Sequence, residues 1–325
     1  MDKMKFRTEI ERIALHKPID YSSRIVTLGS CFAENISRIL LSRKFCVTPQ
    51  PTGILFNPAS IERSLRLMHT RHRITAEELI EADGRWLSYD FHSSISGNNI
   101  EEATCNMQQA IDVGSEAISH ATHLIITLGT AWVYRRRDNG AIVANCHKQP
   151  ATLFSRELLD VEDICSSLRS IMEMFTGDVI MTISPVRHIG DGLVDNSLSK
   201  ALLRVAVERI KSEYPTRISY FPSYEILIDD LRDYRFYGDD LVHPSSQAIE
   251  YIGEKFFEVA TTPACQQLMQ RIERIVVASN HRPMNPRSEQ YRDFCQKQLQ
   301  AIASIEGVDL SKEKEFFEHM LQINL

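Results

Sequence analysis

No apolar run in the 325-residue chain approaches the ~18 residues that a membrane-crossing helix needs, so no membrane span is expected. No internal repeat and no low-complexity tract interrupts it. None of the seven cysteines, at 31, 46, 105, 146, 165, 265 and 295, forms a Cys-x-x-Cys pair, and their number is odd. That suggests neither a zinc knuckle nor a disulfide framework. Basic charge is not in excess: 37 Lys plus Arg face 43 Asp plus Glu, a formal charge of −6 that argues against nucleic acid as the main partner. The opening stretch, MDKMKFRTEIERIALHKPID, interleaves charged and apolar residues without the continuous apolar core of a secretory leader. A reducing cytoplasm is the expected compartment.

What is present is the composition of a globular domain, 43% apolar and 25% charged. Five short apolar runs, at 24–28, 45–48, 123–128, 178–183 and 218–221, read as buried parallel strands, each ending in small or polar residues. Helical patterns alternate with them. Phe32, Ile36, Ile39 and Leu40 share one face; Leu202, Val205, Ala206, Val207 and Ile210 mark another helix, and Ala248, Ile249, Ile252, Phe256 and Phe257 a third. The expected fold is three-layer α/β/α around a central parallel sheet, with ligands beyond the carboxyl ends of the strands. Residues 71–106 lack a clean period and read as an insertion. After Thr262 the character becomes helical throughout, with a breaker run NHRPMNPRS and a last helix ending at Leu325. The expected division is therefore 1–262 for the α/β domain and 263–325 for a helical appendage.

The stretch VTLGSCFAEN places Ser30 and Cys31 after a strand and a glycine and before a helix. A serine on such a turn stands at the sheet edge beside the N–H groups of a helix start, donors suited to an oxyanion. The same pattern is also an ordinary helix cap. A base is offered by YGDDLVHPSSQAIEYI, where Asp240 and His243 are three apart in a loop before an amphipathic helix. That spacing lets the carboxylate accept from one ring nitrogen and leaves the other free to take a proton from a hydroxyl. Asp239, four away, is the poorer match. Cys31 is expected to pack under the first turn of its helix.

Together these pieces resemble the GSCFA family, within the SGNH (GDSL-type) hydrolase superfamily. The resemblance rests on LGSCFAENI, PTGILFNP, YDFHSS, TLGTAWVY, NCHKQP, SPVRH with DGLVDNSLSK, and DDLVHPS, covering roughly residues 20–260; the helical tail lies outside it. It implies an SGNH-like fold with Ser30 as nucleophile, His243 as general base and Asp240 as its orienter. It also implies an oxyanion hole from the N–H groups of Ser30 and Gly53. One departure matters: the superfamily's Gly-x-Asn block is missing, and Thr130 stands where its asparagine is expected. Asn57 or Asn145 are the residues left to fill that role.

His92, His147 and His188 each lie in one of these motifs, with substrate contact, metal binding and structural hydrogen bonding all open to them. No pair has helical metal-ligand spacing and no carboxylate is placed with them, so neither a metal nor a cofactor is expected. Thr130 and Arg187 join the three histidines as candidate substrate contacts, Arg187 as a clamp for an anionic group. Arg135, Arg136 and Arg137 read as a solvated loop. Trp132, Tyr134, Trp86 and Tyr89 offer flat faces to a sugar ring or to the core. The expected function is removal of a small, acetyl-type acyl group from a carbohydrate or similar polar ester through an acyl-enzyme. The alternative is a weak or inactive protein of the same fold that binds a glycan or other polar ligand.

Overall fold

The computed structural model describes residues 7–322 except 282 and 284. The five expected strands form one sheet: β1 (Arg24–Gly29), β2 (Cys46–Pro49), β5 (His123–Leu128), β9 (Asp178–Ile183) and β10 (Ile218–Phe221). Every pairing in it is parallel, and the order is β10-β9-β5-β1-β2. Buried on both faces, β1, β5, β9 and β10 need no polar alternation, which is why they read as continuous apolar runs, whereas β2 lies half exposed at the sheet edge. Chain order along the sheet reverses between β1 and β5, the switch point where open parallel sheets leave a crevice.

Helices α1 (Cys31–Ser42), α2 (Pro58–His69), α3 (Ile100–His120), α4 (Val161–Met174), α5 (Leu193–Glu213), the short α6 (Ser223–Glu225) and α7 (Ser246–Ala260) complete the domain. Successive strand residues feed opposite cores. Val26, Leu28, Leu124 and Ile126 pack with Ile61 of α2, Leu168 of α4 and Val207 of α5. Ile25, Ile125 and Ile180 pack on the other side with Ile36 of α1 and Phe256 of α7. The result is the expected three-layer α/β/α arrangement. On α5 the buried stripe is Leu203, Ala206, Val207 and Ile210, whereas Val205 is exposed.

The segment expected as an insertion holds a small hairpin, β3 (Ile80–Ala82) and β4 (Arg85–Leu87), packed with the first half of α3 around Phe91, Ala103 and Met107. A second, antiparallel sheet of order β7-β6-β8 has no counterpart in the sequence reading: β6 (Trp132–Arg136), β7 (Ile142–Val143) and β8 (Phe154–Leu158). Arg135 and Arg136 therefore lie on a strand and not in a solvated loop. Their guanidiniums pair with Glu157 and Asp138, and Arg137 Nε donates to Phe154 O at 3.1 Å.

Three further helices follow, α8 (Pro263–Asn280), α9 (Glu289–Ala303) and α10 (Ser311–Gln322), sharing a core of Ile272, Cys295, Ile302 and Phe317. The expected end of the last helix at Leu325 falls outside the described residues. Cys265 and Met269, early on α8, belong to the α1/α7 core instead. A short ion pair of 2.6 Å between Lys44 and the buried carboxylate of Glu313 joins α10 to the end of α1.

Candidate active site

Ser30 sits at the switch point because Gly29 lets β1 end there. Gly29 has φ +128°, and a Cβ on it would lie 2.1 Å from Thr127 O on β5, so no side chain fits. Ser30 is fully buried and caps α1, its Oγ accepting from Phe32 N–H at a long 3.4 Å. The hydroxyl proton has no acceptor among the described residues. Cys31 is half-buried against the α1/α7 core, and burial pushes its thiol above the ordinary value. That is the setting of a packing cysteine and not of a thiolate nucleophile.

The end of β5 faces Ser30. Gly129 and Thr130 both donate their N–H groups to Phe56 O, at 2.8 and 3.0 Å. A Cβ on Gly129 would lie 2.9 Å from Phe56 O, 3.2 Å from Ser30 Cβ and 3.3 Å from His188 Nε2. Those atoms therefore ring one small space over Gly129, and Ser30 Cβ and His188 Nε2 are separated by no more than the sum of their two distances. His188 Nε2 is buried with no hydrogen-bond partner, and its ring stands edge-on to Phe56. Burial, helped by the Lys200 ammonium, holds this imidazole down to about 4, so it is neutral at ordinary pH.

The other end of the site is the loop before α7. Asp240 Oδ1 accepts from the N–H groups of Val242 and His243, both at 2.9 Å, and Oδ2 meets His243 Nδ1 at 2.7 Å. The His243 N–H, its ring and the Val242 N–H keep the carboxyl down to about 2, so it is ionised throughout the working range. His243 Nε2 is left without a partner among the described residues. Arg187 N–H donates to Val242 O at 3.2 Å, which ties this loop to the β9 exit one residue from His188. Ser30 and His243 share no hydrogen bond.

Several expected roles are revised. The Ser30 N–H donates to Thr127 O at 3.0 Å and the Gly53 N–H to Gln50 O at 2.8 Å. Each has one hydrogen, already given, so neither is a free oxyanion donor. The β1–β5 ladder claims the first, and the turn after β2 the second. Asn145, a cavity-lining residue like Asn57, gives one of its two Nδ2 hydrogens to Ser93 Oγ, and its Oδ1 accepts from the N–H of His147. Asn57 differs: its Oδ1 caps α2 through Ser60 N–H at 2.8 Å, which leaves Nδ2 without a partner among the described residues. The residue is nearly buried and lines a cavity of about 490 Å³ together with Phe56, Thr130, Trp132 and His188.

Of the candidate substrate contacts, Thr130 lines that cavity while its hydroxyl braces the turn, accepting from Trp132 N–H and pairing with Ser199 Oγ. His147 lies outside that cavity lining: its Nε2 meets Ser88 O at 2.8 Å, and burial lowers its pKa. His92 pairs with Ser94 Oγ and packs against Gly53, outside the cavity lining. Arg187 lies over the rings of Tyr237 and Tyr234 at 4.0 and 5.1 Å, where a cation gains from the ring faces, and it does not line the cavity. Trp132 and Tyr134 do line it, with Arg156 stacked 3.5 Å from the Trp132 ring centre. Trp86 and Tyr89 pack elsewhere, against the insertion core and Phe154.

Three residues of α5 were missed. Asn196 Oδ1 accepts from His188 N–H at 3.0 Å, and Ser199 Oγ accepts from Ala131 N–H at 2.7 Å. Lys200 Nζ, fully enclosed, donates to Gly129 O at 2.6 Å and Ser184 O at 2.8 Å. The signal was legible: 196, 199 and 200 continue the buried stripe of Leu203, Ala206 and Val207 with polar residues. A helix that buries polar side chains at its own core positions is holding something.

No curated protein matches the chain. Among solved structures, a Streptococcus pneumonia protein described as a candidate platelet activating factor is similar at TM-score 0.37 and 9% identity, over 73% of this chain and 83% of that one. The tail, expected to lie outside the family resemblance, is matched over residues 272–323 by the model of the GSCFA domain protein, C-terminal domain. The GSCFA family model itself matches residues 24–256, the span that carries Ser30, Gly129, His188 and the Asp240–His243 pair, and the chain belongs to the GSCFA family.

Proposed function

We propose that the protein is a serine-dependent ester hydrolase of SGNH type, acting on a small acyl ester of a carbohydrate or similar polar molecule. The observation that carries this reading is the Asp240–His243 pair, with Nε2 open among the described residues, in the loop tied to the β9 exit. Asp240 fixes the ring and favours the Nδ1–H tautomer, so Nε2 is the basic nitrogen. His243 Nε2 takes the proton of Ser30 Oγ as the oxygen bonds to the acyl carbon. The tetrahedral oxyanion then collapses, the alcohol leaves with that proton, and an acyl-Ser30 ester remains. Water, giving a proton to His243, attacks the ester and releases the carboxylic acid and Ser30. Phe32 N–H, already on Oγ, favours negative charge there. Asn57 Nδ2, with both hydrogens unbonded among the described residues, is the amide donor most open to the oxyanion. Trp132 and Tyr134, beside the amides of Asn57 and Gln149, suit a polyhydroxylated leaving group.

A second reading draws on Ser30 itself, which caps its helix and has no bond to His243: the same fold used only to bind a polar ligand. Labelling with a fluorophosphonate probe, with the modified peptide mapped by mass spectrometry, separates the two. The hydrolase reading expects a label on Ser30 that slows on the order of 10²–10⁴-fold in Asp240→Asn and His243→Ala. Equal slow labelling in all three proteins would move the binding reading to the front.

A further inference from the structure

The missing Gly-x-Asn asparagine leaves a role open, and the structure places a second unpartnered polar group where that role is played. We propose that His188 is a catalytic residue that donates its Nε2–H to the oxyanion formed at Ser30, beside Asn57 Nδ2. The inference rests on the acyl-transfer chemistry proposed for Ser30.

The geometry argues it first. Ser30 Cβ and His188 Nε2 stand at 3.2 and 3.3 Å from one point above Gly129, a point no side chain occupies. Nε2 is enclosed and unbonded, a state that leaves the desolvation cost of a buried polar group uncompensated until something arrives to pair with it. His188 and Asn57 also line one cavity, so an acyl group entering from that side meets both residues.

The ring's mounting argues it second. Asn196 holds the His188 backbone N–H, Phe56 packs edge-on to the ring, and Gly129, which crowds Nε2, is itself fixed by Phe56 O and Lys200. A donor held this firmly needs little reorganisation when charge develops, the condition under which oxyanion donors are effective.

Electrostatics separates donor from base. The charged and titratable groups that act on His188 are Lys200 from α5, Asp191 from its own turn and His243 from the facing loop. Burial and Lys200 outweigh Asp191, so the ring stays neutral; it is a poor store for a proton but a competent N–H donor. His243, paired with Asp240 at Nδ1 and open at Nε2, is the histidine placed to take the serine proton.

The test is fluorophosphonate labelling, whose phosphonyl oxygen occupies the oxyanion position, together with steady-state hydrolysis of an aryl acetate by wild type, His188→Ala and His188→Gln. Wild type should label at Ser30. His188→Ala should label and turn over about a hundredfold more slowly, in kcat and not in KM, with an unmoved acid limb of the pH–rate profile, and His188→Gln should recover part of the loss. Wild-type rates in His188→Ala would overturn the proposal. So would an acid limb displaced in either variant, which would make His188 the base. Equal losses in Ala and Gln, matched by equal falls in melting temperature, would reduce it to a packing residue. If wild type itself fails to label, the acyl-transfer reading falls, and this one with it.

Discussion

At the scale of single residues, the site is built from backbone atoms that must not move and a few polar atoms left deliberately bare. Gly129 is the sharpest case. An alanine there would press on Phe56 O, a backbone atom, and on Ser30 and His188 at once. Such overpacking typically costs ~1–3 kcal/mol of stability. Gly129→Ala should therefore fold with a modestly lowered urea midpoint yet lose nearly all Ser30 labelling, because the methyl fills the space above the serine. Labelling at wild-type rate would show that the reacting carbon approaches from elsewhere. Ser30 and the Asp240–His243 pair could be read from sequence because each is a local pattern, a turn before a helix and a spacing of three. The choice between Asn57 and Asn145 could not. It depends on how far each amide is already bonded: Asn145 gives one Nδ2 hydrogen to Ser93, far off in sequence, and Asn57 gives none among the described residues.

At the scale of elements, α5 does the most for the site without containing any of its expected residues. Its buried stripe is apolar where it crosses the sheet, and its N-terminal half carries Asn196, Ser199 and Lys200 on the same side. These three hold the exits of β5 and β9 in register. Lys200 adds a pH signature. Burial lowers it from its ordinary 10.5 to about 7. Between those values the unfolded chain binds the extra proton, so stability rises as pH climbs from about 7 towards 10. Lys200→Met keeps the bulk but strands the carbonyls of Gly129 and Ser184, at ~1–3 kcal/mol for each unsatisfied buried group. Urea unfolding at pH 7 and pH 9.5 should show the wild-type gain and its absence in Lys200→Met; parallel slopes would mean that the lysine is not strained by its burial. β1, β5, β9 and β10 were legible because parallel strands buried on both faces are continuous apolar runs, and β2 was read from a short run although it lies half exposed at the sheet edge. The β7-β6-β8 sheet was not. β6 has only Val133 buried in Trp132–Arg136, and its arginines imitate a loop until Glu157 appears across the ladder.

At the scale of the whole molecule, histidines with an enclosed ring nitrogen lie in separate parts of the α/β domain. His123 starts β5, His147 pins the loop after β7, and His188 faces Ser30; burial lowers all three, His188 to about 4. A lowered folded value means that the unfolded chain takes up protons first, from 6.5 downward, so stability is intact above that pH and falls as pH drops towards 4. Asp240, held down to about 2, contributes only later, its share being lost below the ordinary carboxyl value of 3.8. Acid weakening should thus begin in the histidine window. The same experiment reads how the tail is coupled. Both tryptophans, Trp86 and Trp132, lie outside the tail, whereas far-UV circular dichroism also sees α8, α9 and α10. Because α8 gives Cys265 and Met269 to the α1/α7 core and Ile272 and Ile275 to the tail core, no plane separates the two without cutting through a packed helix. Urea titrations at pH 7 and pH 4.5 should therefore show midpoints that drop together by both probes, and a smaller drop in His123→Gln/His188→Gln. A tryptophan transition that shifted alone would mean that the tail helices stand without the sheet, and that Lys44 and Glu313 join two independent units.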